Sequence, residues 1–198
     1  MKCNQLGRSM VEIIGVLAII GVLSVGAIAG YSTAMEKWKM NKAIAGYNYL
    51  VFNLSEHIDL FRQSQSQKLM GSIVYRLNAV PESWTYKNGT LYDPTGTSVI
   101  VMGRNKVLAL DIRLGKDVER SRKKCVEIYK GFIQPLHESV KDVWIHNTKG
   151  GYTTFYGDKY CDGVYRKKCL KDMKLQDMSQ VCKACPYNEQ NCPIAVEF

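Results

Sequence analysis

From Ile13 to Met35 no position carries a charged side chain. At about 1.5 Å per residue this run makes a helix of roughly 35 Å, enough to cross a hydrocarbon core of about 30 Å. Nothing breaks the helix where the run ends. Ile44, Tyr47, Val51, Leu54, Ile58 and Phe61 follow at spacings of three and four, which marks one apolar face of an amphipathic helix. One helix from about Ser9 to Gln65 is therefore expected, its first half apolar all round and its second half lying on a folded head. Leu69 to Leu77 predicts a short second helix ending before Pro81.

From Trp84 the pattern changes to strands. Asn88-Gly89 predicts a hairpin between Trp84–Tyr86 and Leu91–Tyr92, and Asp93-Pro94-Thr95-Gly96 a turn. Val99–Met102 and Val107–Leu110 read as strands joined by Gly103-Arg104-Asn105. Residues 117–130 read as a helix, and 143–145, 152–156 and 194–198 as further strands. A long helix segregated from a run of strands predicts the α+β class.

With 198 residues, 46% hydrophobic and 23% charged, the chain has room for one domain with a real core and an appendage, and it is not a disordered chain. The cysteines sharpen this. Cys3 precedes the apolar run, while Cys125, Cys161, Cys169, Cys182, Cys185 and Cys192 follow it. An even set beyond a membrane-length segment predicts disulfides in an oxidising compartment. Cys182-x-x-Cys185 also admits a zinc site or a redox pair, although there is only one CxxC and no histidine follows His146.

Net charge is +9. Arg120, Arg122, Lys123 and Lys124 form one basic cluster. Lys159, Arg166, Lys167, Lys168, Lys171 and Lys174 form another, interleaved with Tyr156, Tyr160 and Tyr165. Such faces either keep a subunit soluble or hold a nucleic acid or another anionic surface. The three histidines, His57, His137 and His146, lie in no catalytic motif, and there is no phosphate-binding glycine loop. The chain is therefore expected to be no enzyme, with no cofactor and no metal.

A single acid, Glu12, stands at the mouth of the apolar run. A carboxylate is costly in a membrane helix and needs a partner there. If the chain were cut after Gly7, the new amino group of Arg8 would lie one helical turn from Glu12. Between stacked copies, Glu12 of one could neutralise that amine in another.

This leader, acid and Gly/Ala/Val/Ile/Leu helix resemble the class III signal of type IV prepilins and related pseudopilins over about residues 6–36. The later order, with Val80-Pro81-Glu82-Ser83-Trp84, Thr95-Gly96-Thr97-Ser98 and Cys125, resembles type IVb pilins and their PilS-like relatives. The resemblance implies cleavage by prepilin peptidase between Gly7 and Arg8, methylation at Arg8, and Glu12 as the assembly acid. Arg8 stands where the family usually has an apolar residue.

The implied layout is a leader at 1–7, an apolar membrane or filament-core helix at 8–35, and a head at 36–198 with a Cys-rich region at 161–192. In the implied fold the apolar half of the helix protrudes and the amphipathic half packs on an antiparallel sheet, with Cys125 tied to a C-terminal cysteine, Cys182 being the candidate. The implied partners are further copies of the chain or other pilins, prepilin peptidase and the pilus or type II secretion machinery. The implied location is the inner membrane, then a filament at the cell surface, with the head periplasmic or extracellular. Minor pilin and pseudopilin roles belong to the same class. Two other fates stay open: cleavage after Ala29, where Ala27-Ile28-Ala29 forms an A-x-A site, to release a soluble disulfide-rich binding protein, and an uncut signal anchor.

Overall fold

The computed structural model describes residues 10–147, 150–161, 167–185 and 192–198. The chain divides into two compact units after Trp38. Helix α1 (Met10–Ser55) belongs to both, and its residues up to Trp38 are the described part of the first unit.

In the second unit, α1 buries Met40, Ala43, Tyr47, Leu50, Val51 and Leu54 along the face that the spacing predicts. The helix ends ten residues earlier than expected. Asn53 donates to Tyr49 O and Ser55 to Phe52 O, so side chains compete for the carbonyls that a continuing helix would use. After a turn at Glu56 and His57 the chain restarts as α2 (Ile58–Arg62), which buries Phe61. The expected second helix begins instead as a two-residue strand, β1 (Lys68–Leu69), followed by α3 (Gly71–Arg76).

The strands are β2 (Thr85–Lys87), β3 (Thr90–Tyr92), β4 (Ser98–Arg104), β5 (Val107–Arg113), β6 (Asp142–His146), β7 (Tyr152–Tyr156), β8 (Lys168–Cys169) and β9 (Pro193–Glu197). They join one sheet in the order β2-β3-β4-β5-β9-β6-β7-β8, with β1 beside β4. Every pair is antiparallel except β7 with β8, so the sheet is mixed rather than purely antiparallel. Strand β9, late in the chain, lies between β5 and β6 and is hydrogen-bonded on both sides.

Asn88 and Gly89 make the predicted hairpin turn, both with positive φ. The next hairpin differs from expectation: Gly103 and Arg104 remain in β4, and the turn is Asn105-Lys106 at φ of 49° and 65°. Backbone pairing explains the shift, since Arg104 is opposite Val107 and Lys106 N donates to Ser64 O. Gly103 is needed where it stands: a Cβ there would lie 2.7 Å from Phe61 O and 2.8 Å from the Ser64 side chain.

Helix α4 (Val118–Ile128) starts at Asp117, whose carboxylate accepts from Arg120 N, and runs into a π-helical turn at Tyr129–Ile133. Helix α5 is Leu175–Lys183. A single core gathers the buried face of α1, the inward residues of the sheet (Val99, Val101, Leu110, Ile112, Val196 among them) and Ile128, Tyr129 and Phe132 from the α4 side. Tyr47 stands at its centre. Its ring meets Trp84 edge-on at 4.8 Å and stacks on Phe132 at 5.0 Å, while its hydroxyl donates to Asp93 at 3.1 Å. Burial, then the Asp93 charge and hydrogen bond, push the phenol well above its ordinary pKa.

Candidate functional site

The first unit offers an apolar helix surface. From Met10 to Ala34 every residue of α1 is exposed within the chain, and Val22 remains 75% exposed and Ile28 70%. This helix is long and apolar enough to cross a membrane, by length and composition. Two of its hydroxyl side chains, Ser24 and Thr33, donate to Ile20 O and Ala29 O, each four residues back. An apolar surrounding therefore meets no unsatisfied hydroxyl at these two positions. The Cβ positions of Gly15, Gly21, Gly26 and Gly30 have nothing within 4 Å, so these glycines leave open notches along the helix. Small residues of this kind let a second helix approach closely in an apolar medium.

Glu12 is exposed in the first turn of α1, where the helix dipole favours an anion. Gly7 and Arg8, the expected cleavage and methylation positions, lie outside the described residues.

The six later cysteines form three disulfides: Cys125–Cys182, Cys161–Cys169 and Cys185–Cys192. The first joins α4 to α5 and both its cysteines are fully buried. Cys182 and Cys185 bond to different partners, so the zinc and redox readings of that CxxC fall away. Cys192 immediately precedes β9, so the third bridge fixes the approach of the strand that completes the middle of the sheet.

The two basic clusters are distributed over different elements. Arg120 and Arg122 are exposed on α4. Lys123 pairs with Glu119 at 2.8 Å, one turn away, and this holds the Glu119 carboxyl below its usual range. Lys124 instead donates to Thr95 O at 2.8 Å and so ties α4 to the Asp93 turn. In the second cluster Lys159, Lys171 and Lys174 are exposed. Lys167 sits over the Tyr156 ring and donates to Tyr160 O, and Lys168 sits over Phe155. Tyr165 and Arg166 lie outside the described residues.

A buried ion network escapes sequence reasoning. By register, Arg104, Ala109, Asp111, Ala195, Glu197 and Trp144 share the sheet face opposite the core. The small Ala109 and Ala195 leave room between the longer side chains. The Arg104 guanidinium bonds Asp111 at 2.7 Å, and its Nε is 3.3 Å from Glu197, an ion pair without hydrogen-bond alignment. The guanidinium also lies 5.3 Å from the Trp144 ring centre. Lys141 reaches Glu197 at 2.9 Å and Asp142 at 3.5 Å. Burial alone would lower the Lys141 pKa, but the hydrogen bond and charge of Glu197, with Asp142, outweigh it and raise it. Burial, then the charge of Glu197, raises Asp142 against the pull of Lys141 and Arg104. The network bridges β4, β5, β9 and β6. Its members are scattered from 104 to 197, and no local spacing announces them.

Compared with protein-family models, with curated proteins and with solved structures, this chain matches none of them.

Proposed function

We propose that the chain is a structural subunit of a type IV pilus, type IVb-like in layout, that polymerises through its N-terminal helix. The observation that carries this reading is Glu12 immediately before a charge-free stretch of α1, residues 13–35, whose apolar side chains are exposed all round as far as Ala34. Such a surface needs lipid or other copies of itself. An acid at the mouth of such a surface is stabilised by a cation there, and the amine of Arg8, freed by prepilin peptidase after Gly7 and then methylated, supplies one between copies. The precursor waits in the inner membrane. After assembly the head, braced by its disulfides, faces the periplasm or the cell exterior. Minor-pilin and pseudopilin roles use the same helix and differ in abundance within the filament.

The test is Glu12→Ala in the native cells. The variant is expected to insert in the membrane but to be missing from sheared filaments. Normal filaments built from it would overturn the assembly role. Ala27-Ile28-Ala29 favours a second reading, a soluble secreted binding protein that begins at Gly30. Intact mass and N-terminal sequence of the native protein separate the two: a start at Arg8 supports the filament subunit, and a start at Gly30 the secreted module.

A further inference from the structure

Among the described residues away from the helix, the disulfides and the ion network, a surface cluster has the chemistry of a ligand set. His137, Glu138 and Asp158 each offer one donor atom within 4.8 Å of the other two. His137 follows the short 3-10 turn Gln134–Leu136, and Asp158 lies two residues beyond β7.

His137 Nδ1 and Asp158 Oδ2 are 3.1 Å apart, close enough for an ion pair. Yet the contact is not aligned as a hydrogen bond: Nδ1 and the second carboxylate oxygen, Oδ1, are both shut off from solvent without a hydrogen-bond partner. Buried polar atoms are almost always paired, so two unpaired ones side by side call for an explanation. An imidazole whose ring proton sits on Nε2 presents Nδ1 as an acceptor, and neither it nor the carboxylate then donates to the other. A cation between them satisfies both.

Backbone contacts hold the two segments together. Asp158 N donates to His137 O and Gly157 N to Lys141 O, each at 3.0 Å. Gly157 presses on the carbonyls of Val140 and His137 so closely that no Cβ fits. The donors are thus positioned by the main chain before any ligand arrives. Of the neighbouring cations, Lys141 is committed to Glu197 and Asp142, and Lys159 is exposed next to Asp158.

We propose that His137, Glu138 and Asp158 bind one divalent cation of the zinc class, tying the segment after α4 to the segment after β7. One imidazole with two carboxylates suits zinc better than calcium or magnesium, which take oxygen donors alone. Ligands about 2.0–2.1 Å from zinc stand roughly 3.4 Å from one another in a tetrahedron. Glu138 is exposed and free to rotate inward to that spacing. The side chains of His137 and Asp158 are each 30% exposed, which leaves the remaining coordination position to water.

The test is calorimetric titration of zinc chloride into the oxidised full chain in detergent, stripped with chelator and with Cys3 alkylated. One zinc per chain is expected, with a raised melting temperature. Losing even a supporting partner of a metal ligand weakens binding by about 10–100-fold. His137→Ala and Glu138→Gln should therefore each weaken binding at least tenfold, whereas His146→Ala should leave it unchanged. The exposed Glu138→Gln guards against a folding defect, because its metal-free melt is expected to match the parent. No detectable zinc binding, or binding that ignores both variants or follows His146, would overturn the site.

Discussion

Removing the Cys125–Cys182 bridge by the double substitution Cys125→Ala/Cys182→Ala gives the sharpest test of how the head is held. The bridge spans 57 residues in sequence and joins α4 to α5. In the chain-entropy account, closing a loop of that length removes about 4 kcal/mol of freedom from the unfolded state. The Cys161–Cys169 bridge spans only 8 residues, for which the same relation gives about 2.5 kcal/mol. The two double variants should therefore differ by about 1.5 kcal/mol, the longer loop losing more. Burial adds to the gap, since Cys125 and Cys182 are fully enclosed while Cys161 and Cys169 are half-exposed. The assay is urea unfolding of the oxidised chain in one mild detergent, followed by tryptophan fluorescence, with the other two disulfides confirmed intact by mass mapping. Fluorescence reports on the head because Trp84 is buried in the core and Trp144 half-buried on the sheet. An equal loss from both variants, or a larger loss from the short loop, would refute the entropic reasoning and place the stabilisation in local packing.

Three further substitutions probe the packing that surrounds the bridge. Tyr47→Phe deletes the hydroxyl that donates to Asp93 and should cost about 1 kcal/mol at neutral pH, by denaturant unfolding. Tyr47 and Lys141 both have raised folded pKa values, so the stability they contribute is fully present below their unfolded values near pH 10 and is lost as pH rises further. Phenylalanine cannot ionise, so alkaline unfolding should be less steep in Tyr47→Phe, and an unchanged slope would show that Tyr47 does not contribute to it. Arg104→Ala leaves Asp111 and Glu197 without their buried cation and should cost about 3–5 kcal/mol, whereas a loss under about 1 kcal/mol would mean that water replaces the guanidinium. Gly103→Ala drives a Cβ onto the Phe61 carbonyl, and a lowered melting temperature with local loss of amide protection in α2 is expected.

Much of the fold was legible because local signals set it. The spacing of Ile44, Tyr47, Val51 and Leu54 located the side of α1 that turns inward, and strand β7 falls on the predicted residues 152–156. Asn88-Gly89 carried its turn in its own chemistry. The misses share a cause. Ser55 and Asn53 end α1 by bonding their own backbone, a competition that apolar periodicity does not register. The hairpin at Asn105-Lys106 puts a lysine at positive φ, and a glycine-based reading placed the connection at Gly103-Arg104-Asn105, starting two residues early. Gly103 serves close packing against α2 instead. In the candidate sites, Glu12 and the cysteines stand out by type and place, and Cys125–Cys182 is the pairing that the resemblance implied. Arg104, Asp111 and Glu197 could not be found that way, because only the register of β4, β5 and β9 brings them together.

That register has a consequence for how the second unit holds. Strand β9 is paired to β5 through residues 193–197 and to β6 through 194–197, so among the described residues the backbone ladders of the two halves of the sheet join through it. Contacts between segments so far apart in sequence form late and carry a large loop-closure cost. The chain offsets that cost in two places. The Cys185–Cys192 bridge restrains the residues that lead into the strand, and Cys125–Cys182 anchors α5, which precedes them. Glu197 then links β9 to β4 through Arg104 and to β6 through Lys141. In an oxidising compartment both bridges persist and secure the join of the sheet. In a reducing compartment the same strand would have only its hydrogen bonds, its apolar side chains and the ion network to hold it.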